Sequence, residues 1–306
     1  MRVLLTAFAA VALPWFSSCT RTPMRGVTVD PAFRTLIPPD TSTLSGMEWD
    51  ALKASPFYQR HQHDLNIPSF NAAVERMGIN PLRDLSNLLV ASNATDYLFM
   101  ERGRFNADDL QKRIVSGGAR ETTYKGHKVL GNATGAMVFF KSVALEGDDA
   151  AVRRAIDLES AGEGEVPEEL AERLRTLDKR DQIWTVSRAG LAYANLPMKA
   201  DISSALANIT GSISGTTAGI YVDSGFHLSI ELQCKSDAGA TRVHDALRGL
   251  IGFGRLSTRD NEQDLLRAYD SIQVDKSDQT VKVRTDLSGD VADKLLDSVL
   301  ALKHSH

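Results

Sequence analysis

The stretch that decides the fold reads Thr217-Ala-Gly-Ile-Tyr-Val222, Asp223-Ser-Gly225, Phe226-His-Leu-Ser-Ile-Glu-Leu232. After the turn signal, every second residue is apolar: Phe226, Leu228, Ile230 and Leu232. Side chains two residues apart lie on the same face of a β-strand, so this alternation predicts a strand with one buried face. The Asp-Ser-Gly sequence predicts a turn, and the two segments together predict an antiparallel hairpin.

A helix and two more strands follow this hairpin. Ser236 is a good N-cap, and four apolar residues recur at helical spacing: Val243, Ala246, Leu247 and Leu250. The glycines at 249, 252 and 254 predict the end of this helix, because they follow it instead of preceding it as a phosphate-binding loop would. Residues 271–274 and 280–285 predict strands, and a last helix is expected after Ser288.

The first half of the chain has the same order of elements. Strands at 88–92 and 97–102 flank a turn, and Asn106 begins a helix that ends at Gly117. A hairpin around Lys125-Gly126, strands at 136–140 and 143–145, and a helix near Asp148 follow. Strand–strand–helix units that recur twice in each half predict an internal duplication. We therefore expect an α+β fold of two similar antiparallel-sheet halves packed together, with helices on one face.

A Gly- and Glu-rich stretch at 160–167 divides these halves. Pro167 then begins a helix with Leu170, Leu174 and Leu177 on one stripe. The predicted modules are residues 40–165 and 166–306.

Composition excludes several classes of protein. The chain has 306 residues, of which 42% are hydrophobic and 24% charged, and its net charge is −4. These values are ordinary for a globular protein and give no electrostatic indication of nucleic-acid binding. The two cysteines do not form a disulfide framework.

The N-terminus has the pattern of an export signal. Arg2 precedes an apolar run from Val3 to Leu13, and the small residues Ser17 and Ser18 follow. A spanning helix needs about 20 apolar residues, and this run is shorter. Residues 1–18 are therefore predicted to be a signal peptide.

Cys19 makes this signal more specific. Phe16-Ser-Ser-Cys19 resembles the lipobox of bacterial lipoproteins, which implies cleavage before Cys19 and lipid attachment to it. The alternative is a fortuitous cysteine at the end of a plain secretory signal. Residues 19–39 contain four prolines and are predicted to form an extended tether. The expected location is the periplasmic side of a bacterial membrane, with palmitate among the attached acyl chains.

Three further segments carry a family resemblance: Ile37-Pro-Pro-Asp-Thr-Ser42, Trp49-Asp-Ala-Leu-Lys-Ala-Ser-Pro56 and Met77-Gly-Ile-Asn-Pro-Leu-Arg-Asp-Leu85. They are similar to the start of a group of uncharacterised exported bacterial proteins, of acidobacterial type, that are built from duplicated α+β modules. The resemblance implies an envelope location and supplies no catalytic residues.

The densest group of candidate metal ligands is His61-Gln-His63-Asp64. Ser55 and Pro56 predict a helix here, on which residues two apart point in different directions. We therefore interpret His61 as a packed or boundary side chain on the stripe of Phe57 and Leu65, and no metal site is predicted. Cys234 is interpreted as a small buried side chain.

The sequence contains no G-x-S-x-G, H-E-x-x-H or C-x-x-C motif. We expect no enzymatic activity, no catalytic residues and no cofactor. The leading hypothesis is a non-catalytic envelope lipoprotein that acts as a tethered structural or interaction module. The alternative is a ligand-binding periplasmic lipoprotein with a pocket between the two halves. The expected partners are a membrane, through the lipid anchor, and an envelope protein or a small apolar ligand, with no nucleic acid.

Overall fold

The computed structural model describes residues 26–63, 80–133, 135–140, 143–190 and 209–304. The strands are β1 Thr43–Glu48, β2 Leu85–Ser92, β3 Tyr97–Gly103, β4 Arg120–Tyr124, β5 His127–Asn132, β6 Gly135–Phe140, β7 Val143–Gly147, β8 Ile183–Ser187, β9 Ile213–Val222, β10 Phe226–Cys234, β11 Gln273–Ser277 and β12 Thr280–Leu287. The helices are α1 Pro31–Arg34, α2 Trp49–Lys53, α3 Pro56–His61, α4 Pro81–Asp84, α5 Ala107–Ser116, α6 Asp149–Ala161, α7 Glu168–Leu174, α8 Asp237–Ser257, α9 Gln263–Ser271 and α10 Gly289–His304.

The described strands form one 12-stranded antiparallel sheet in the order β11-β12-β10-β9-β8-β1-β2-β3-β7-β6-β5-β4. The α+β class is thus confirmed. The two halves are joined edge to edge by the pairing of β1 with β8, in which Gly46 lies opposite Trp184. Both halves have the same strand order when each is followed outward from this junction. The first half runs β1-β2-β3-β7-β6 and the second half runs β8-β9-β10-β12-β11. The first half then continues with the hairpin β4–β5 at its outer edge. An internal duplication remains a prediction.

Helices pack on both faces of the sheet, so the expectation of helices on one face is wrong. We call the face that carries Leu88 the front and the face that carries Leu89 the back. The largest apolar cluster lies on the back of the first half, where α6 and α7 cover Leu89 and its neighbours. On the front, one cluster forms around Trp49 and Leu110, and α8 covers a second one on β10 and β12.

Residues 26–39 are not part of a tether, which corrects the expectation for 19–39. Val29, Phe33, Leu36 and Ile37 are almost completely buried in the back cluster. The backbone N–H of Val27 also donates to the carbonyl of Leu174 at 3.0 Å. Apolar side chains between the prolines reach the core, so this segment is part of the folded body. Residues 19–25, including Cys19, lie outside the described residues, as does the signal segment 1–18.

The division at 165/166 also differs from the packing. Leu170, Leu174 and Leu177 belong to the same back cluster as α6 of the first half. The helix that Pro167 begins therefore completes the core of the first module, and the strands of the second module begin at β8.

Candidate functional site

A row of apolar side chains crosses the front of the sheet at the junction of the two halves. Backbone register aligns five of them on five neighbouring strands: Leu88, Met47, Ile183, Ile220 and Leu228. Directly opposed side chains on adjacent strands lie about 5 Å apart, so the row is continuous. All five are half-buried, and Met47 and Leu88 at one end of the row pack against the front cluster around Trp49 and Leu110. The row therefore forms the floor of an open groove, which we call the front groove.

A second row completes the front groove. This row lies two residues away from the first on four of the same strands, and its members are aligned in register: Val90, Ser45, Thr185 and Ala218. The hydroxyls of Ser45 and Thr185 bond to each other at 2.8 Å, which satisfies both inside an otherwise apolar surface. The groove has a volume of about 230 Å³, and none of the side chains that line it is titratable.

The back of the sheet supports the front groove at the junction of the halves. Trp184 is 3% exposed, and its indole lies over the Cα of Gly46. A Cβ on residue 46 would overlap Cζ2 and Cε2 of that ring. Trp184 Nε1 has no hydrogen-bond partner within the described part of the chain. Packing of the ring against a glycine thus brings β1 and β8 together beneath the groove.

A row of hydroxyl side chains borders the front groove at one end. Thr43 Oγ1 and Ser187 Oγ bond to each other at 2.8 Å. Thr216 lies opposite Ser187 on β9 and is 3% exposed. Its Oγ1 is buried without a hydrogen-bond partner among the described residues.

Glu101 extends the apolar row on β3, directly opposite Leu88. Burial raises the pKa of its carboxyl to about 7, and the nearby charge of Glu146 acts in the same direction. Sequence analysis did not identify this residue. One pattern in the sequence could have identified it. Residues two apart on a strand share a face, so Glu101 lies on the same face of β3 as the apolar Phe99, where a carboxyl group is unusual.

His61 lies where the sequence predicted, in a helix that Ser55 caps by accepting from the Tyr58 N–H at 3.1 Å. The His61 ring packs against Phe57 at 4.8 Å, and its Nε2 lies 2.8 Å from Asp293 Oδ1. The interpretation as a packed histidine is confirmed, whereas His63 is exposed. Within the described ranges, no group of three or more His, Cys, Asp or Glu residues is placed to hold a metal ion.

Cys234 is 1% exposed at the end of β10, and burial raises the pKa of its thiol. Its interpretation as a buried side chain is confirmed. None of the helices in the described ranges combines the length and the apolar character needed to cross a bilayer.

Comparison with known proteins gives a likeness of fold. No protein-family model and no curated protein matches this chain. The chain is similar to crystal form III of TP0453, with a TM-score of 0.50 and 8% identity over 89% of this chain and 99% of that one. Crystal form I of TP0453 gives a TM-score of 0.46 at 10% identity, covering 89% of this chain and 98% of that one. Crystal form IV gives 0.48 at 10% identity, covering 88% and 97%. At these identities the likeness concerns the fold alone.

Proposed function

We propose that this chain is an exported, non-catalytic lipoprotein of the bacterial envelope whose front groove binds a small apolar molecule. The observation that carries the proposal is the continuous row from Leu88 to Leu228 across the junction of the two halves. Of the two hypotheses from the sequence, the groove favours ligand binding over a purely structural module.

The apolar lining and the volume of the front groove indicate which kind of ligand it can bind. Burial of apolar surface stabilises a complex by about 25 cal/mol per Å² before the costs of association are counted. The hydroxyls of Ser45 and Thr185 bond to each other, so they do not demand a polar group in the ligand. The volume of about 230 Å³ is smaller than that of pockets for drug-sized ligands, which are roughly 300–1,000 Å³. The ligand is therefore small, or only one apolar part of it enters the groove.

The envelope location rests on the N-terminal sequence. Residues 1–18 have the order of an export signal, and Cys19 stands in a lipobox-like context. We propose attachment of the lipid to Cys19, with the folded body on the periplasmic side of the membrane. The resemblance of three segments to exported bacterial proteins supports the same location.

The experiment is a titration of the purified protein with N-phenyl-1-naphthylamine, an uncharged fluorophore that brightens in apolar surroundings. Ala218→Leu adds three carbon atoms at the β9 end of the second row, inside the lining of the front groove, so we expect it to weaken binding at least tenfold. Ser229→Leu places the same side chain on the back of β10 and serves as the matched control, with unchanged binding expected. Thermal melting of both variants checks the fold.

Two results would contradict ligand binding in the front groove. One is the absence of saturable fluorescence in the wild type, and the other is equal affinity in Ala218→Leu and the wild type. Either result would favour the tethered structural or interaction module.

A further inference from the structure

A second cavity lies on the opposite side of the sheet, on the back of the second half. Its floor comes from the back-facing residues of β9, β10 and β12, and the turn before β8 closes one side. The cavity has a volume of about 350 Å³, and we call it the back pocket. Unlike the front groove, it is lined mainly by polar and charged side chains.

Most charged groups of the back pocket are paired. Asp178 bonds to Arg180 at 2.7 Å, and Glu231 pairs with Lys282 at 2.9 Å. Asp286 pairs with His227 at 2.7 Å. Two charged side chains that line the pocket remain without an ion pair among the described residues, and they have opposite signs: Asp181 and Arg284.

Asp181 is a buried anion that makes no direct ion pair within the described part of the chain, although the charge of Arg180 nearby acts to lower its pKa. Its side chain is 6% exposed, and Oδ2 accepts from the Asp178 N–H at 3.0 Å. The carboxylate rests against Gly219, where a Cβ would overlap it. Burial raises the pKa of Asp181 to about 6, so the group is still mainly ionised at neutral pH. A buried charge of this kind is costly unless a cation or several hydrogen bonds compensate for it.

Arg284 supplies the opposite charge across the back pocket. It is exposed on β12, and it lies in register with Ser229, which itself lies opposite Gly219. Two strand spacings separate the Cα atoms of Gly219 and Arg284, which is roughly 10 Å. The guanidinium makes no hydrogen bond to another described residue and can bind a carboxylate or phosphate bidentately.

A rigid aromatic wall stands beside these two charges. The rings of Tyr221 and His227 stack with centroids 4.0 Å apart and planes 10° apart. The Arg180 guanidinium lies 4.2 Å from the Tyr221 centroid on this wall. Asp286 and Asp223 bind the two ring nitrogens of His227 at 2.7 and 3.2 Å, which fixes the ring. The wall is thus ordered by its own contacts and does not use Asp181 or Arg284.

We propose that the back pocket binds a small zwitterion, with its ammonium group at Asp181 and its anionic group at Arg284. A short amino-terminated acid has this distribution of charge. The ammonium supplies the direct ion pair that Asp181 does not make, and the guanidinium of Arg284 supplies a second contact at a separate position. The proposal is independent of the front groove, because the two cavities lie on opposite faces of the sheet.

The experiment is calorimetric titration of the protein at pH 7.5 with a series of ω-amino acids, from free glycine to 6-aminohexanoate. Butylamine and butyrate carry one charge each and serve as matched ligands. We expect affinity to peak at one chain length and to exceed that of both single-charge ligands at least tenfold. Equal affinity of butylamine and of every member of the series would overturn the assignment, and so would the absence of binding.

Two variants locate the site. Asp181→Asn keeps an acceptor for the Asp178 N–H and removes the charge. Arg284→Gln changes an exposed residue whose guanidinium makes no ion pair with a described residue. Each is expected to reduce the affinity of the best ligand at least tenfold, whereas Glu121→Gln in the other half leaves it unchanged. Unaltered binding in Arg284→Gln would refute the proposal even if Asp181→Asn failed to fold.

Discussion

The indole of Trp184 on β8 covers the Cα of Gly46 on β1, where the two halves of the sheet meet. A methyl group at position 46 would overlap the ring, and Trp184 is too deeply buried to move aside freely. The contact therefore controls the pairing on which the continuity of the front groove depends.

Gly46→Ala tests this contact. Overpacking of a core costs about 1–3 kcal/mol, so we expect the free energy of unfolding in urea to fall by that amount. Gly249→Ala is the control, because residue 249 is an exposed helical glycine at which a Cβ would meet no atom of a neighbouring element within 4 Å. Alanine should raise the free energy of unfolding there by up to about 1 kcal/mol. A Gly46→Ala protein as stable as the wild type would contradict the packing argument.

Glu101 predicts a dependence of stability on pH. Its pKa is about 7 in the folded protein against an ordinary value of 4.5, so the folded state binds more protons between these values. The free energy of unfolding should therefore fall as the pH rises from 4.5 to 7, by up to about 3 kcal/mol. Glu101→Gln should remove this contribution, which denaturant unfolding at several pH values measures as a difference from the wild type.

Glu146→Gln provides the comparison for that measurement. The Glu146 charge raises the pKa of Glu101, so its removal should shift the decrease to lower pH without abolishing it. Asp181 also has a raised pKa and contributes in the same direction in every variant. Parallel pH profiles for Glu101→Gln and the wild type would show that Glu101 is not the group responsible.

Leu36 distinguishes a packed segment from a tether. It is 1% exposed in the back cluster, and Leu→Ala changes in such positions cost about 2–5 kcal/mol. We expect Leu36→Ala to lower the free energy of unfolding by this amount, as measured in urea. Leu256→Ala removes an 84% exposed side chain and should change it by less than about 0.5 kcal/mol. Equal stability of the two variants would restore the tether interpretation for residues 26–39.

The sequence predicts those helices, turns and strands whose own residues include a helix cap, a turn residue or an apolar alternation. Asn106 caps α5 by accepting from the N–H groups of Asp108 and Asp109, and Lys125 and Gly126 form the turn between β4 and β5 with φ of 46° and 84°. The alternation of apolar residues and the turn signal before it predict the strand that contains Leu228 and Leu232. In these cases the sequence separation of the interacting groups is only a few residues.

Elements that depend on distant partners were not predicted. β1 contains Ser45 and Gly46 and lacks a clear alternation, and it becomes a strand because β2 and β8 pair with both of its edges. The front groove combines residues from position 47 to position 228, so only the strand register reveals it. The predicted helix end at 249–254 was wrong, because α8 continues to Ser257 and Gly254 admits the Tyr269 ring of α9.

Cys19→Ser tests the anchor. In the proposed anchor the lipid is attached to the thiol of Cys19. A single acyl chain gives only marginal membrane binding, so stable anchoring would need more than one chain. We expect the wild type to incorporate labelled palmitate and to sediment with membranes. Cys19→Ser should lose the label, and it should either keep its signal segment or appear in the soluble fraction. Cys234→Ser is the matched control, since it removes the other thiol and should leave labelling and fractionation unchanged. If Cys19→Ser is processed to the same mature length as the wild type, and the wild type takes up no palmitate, then residues 1–18 are a plain secretory signal and the envelope anchor is wrong.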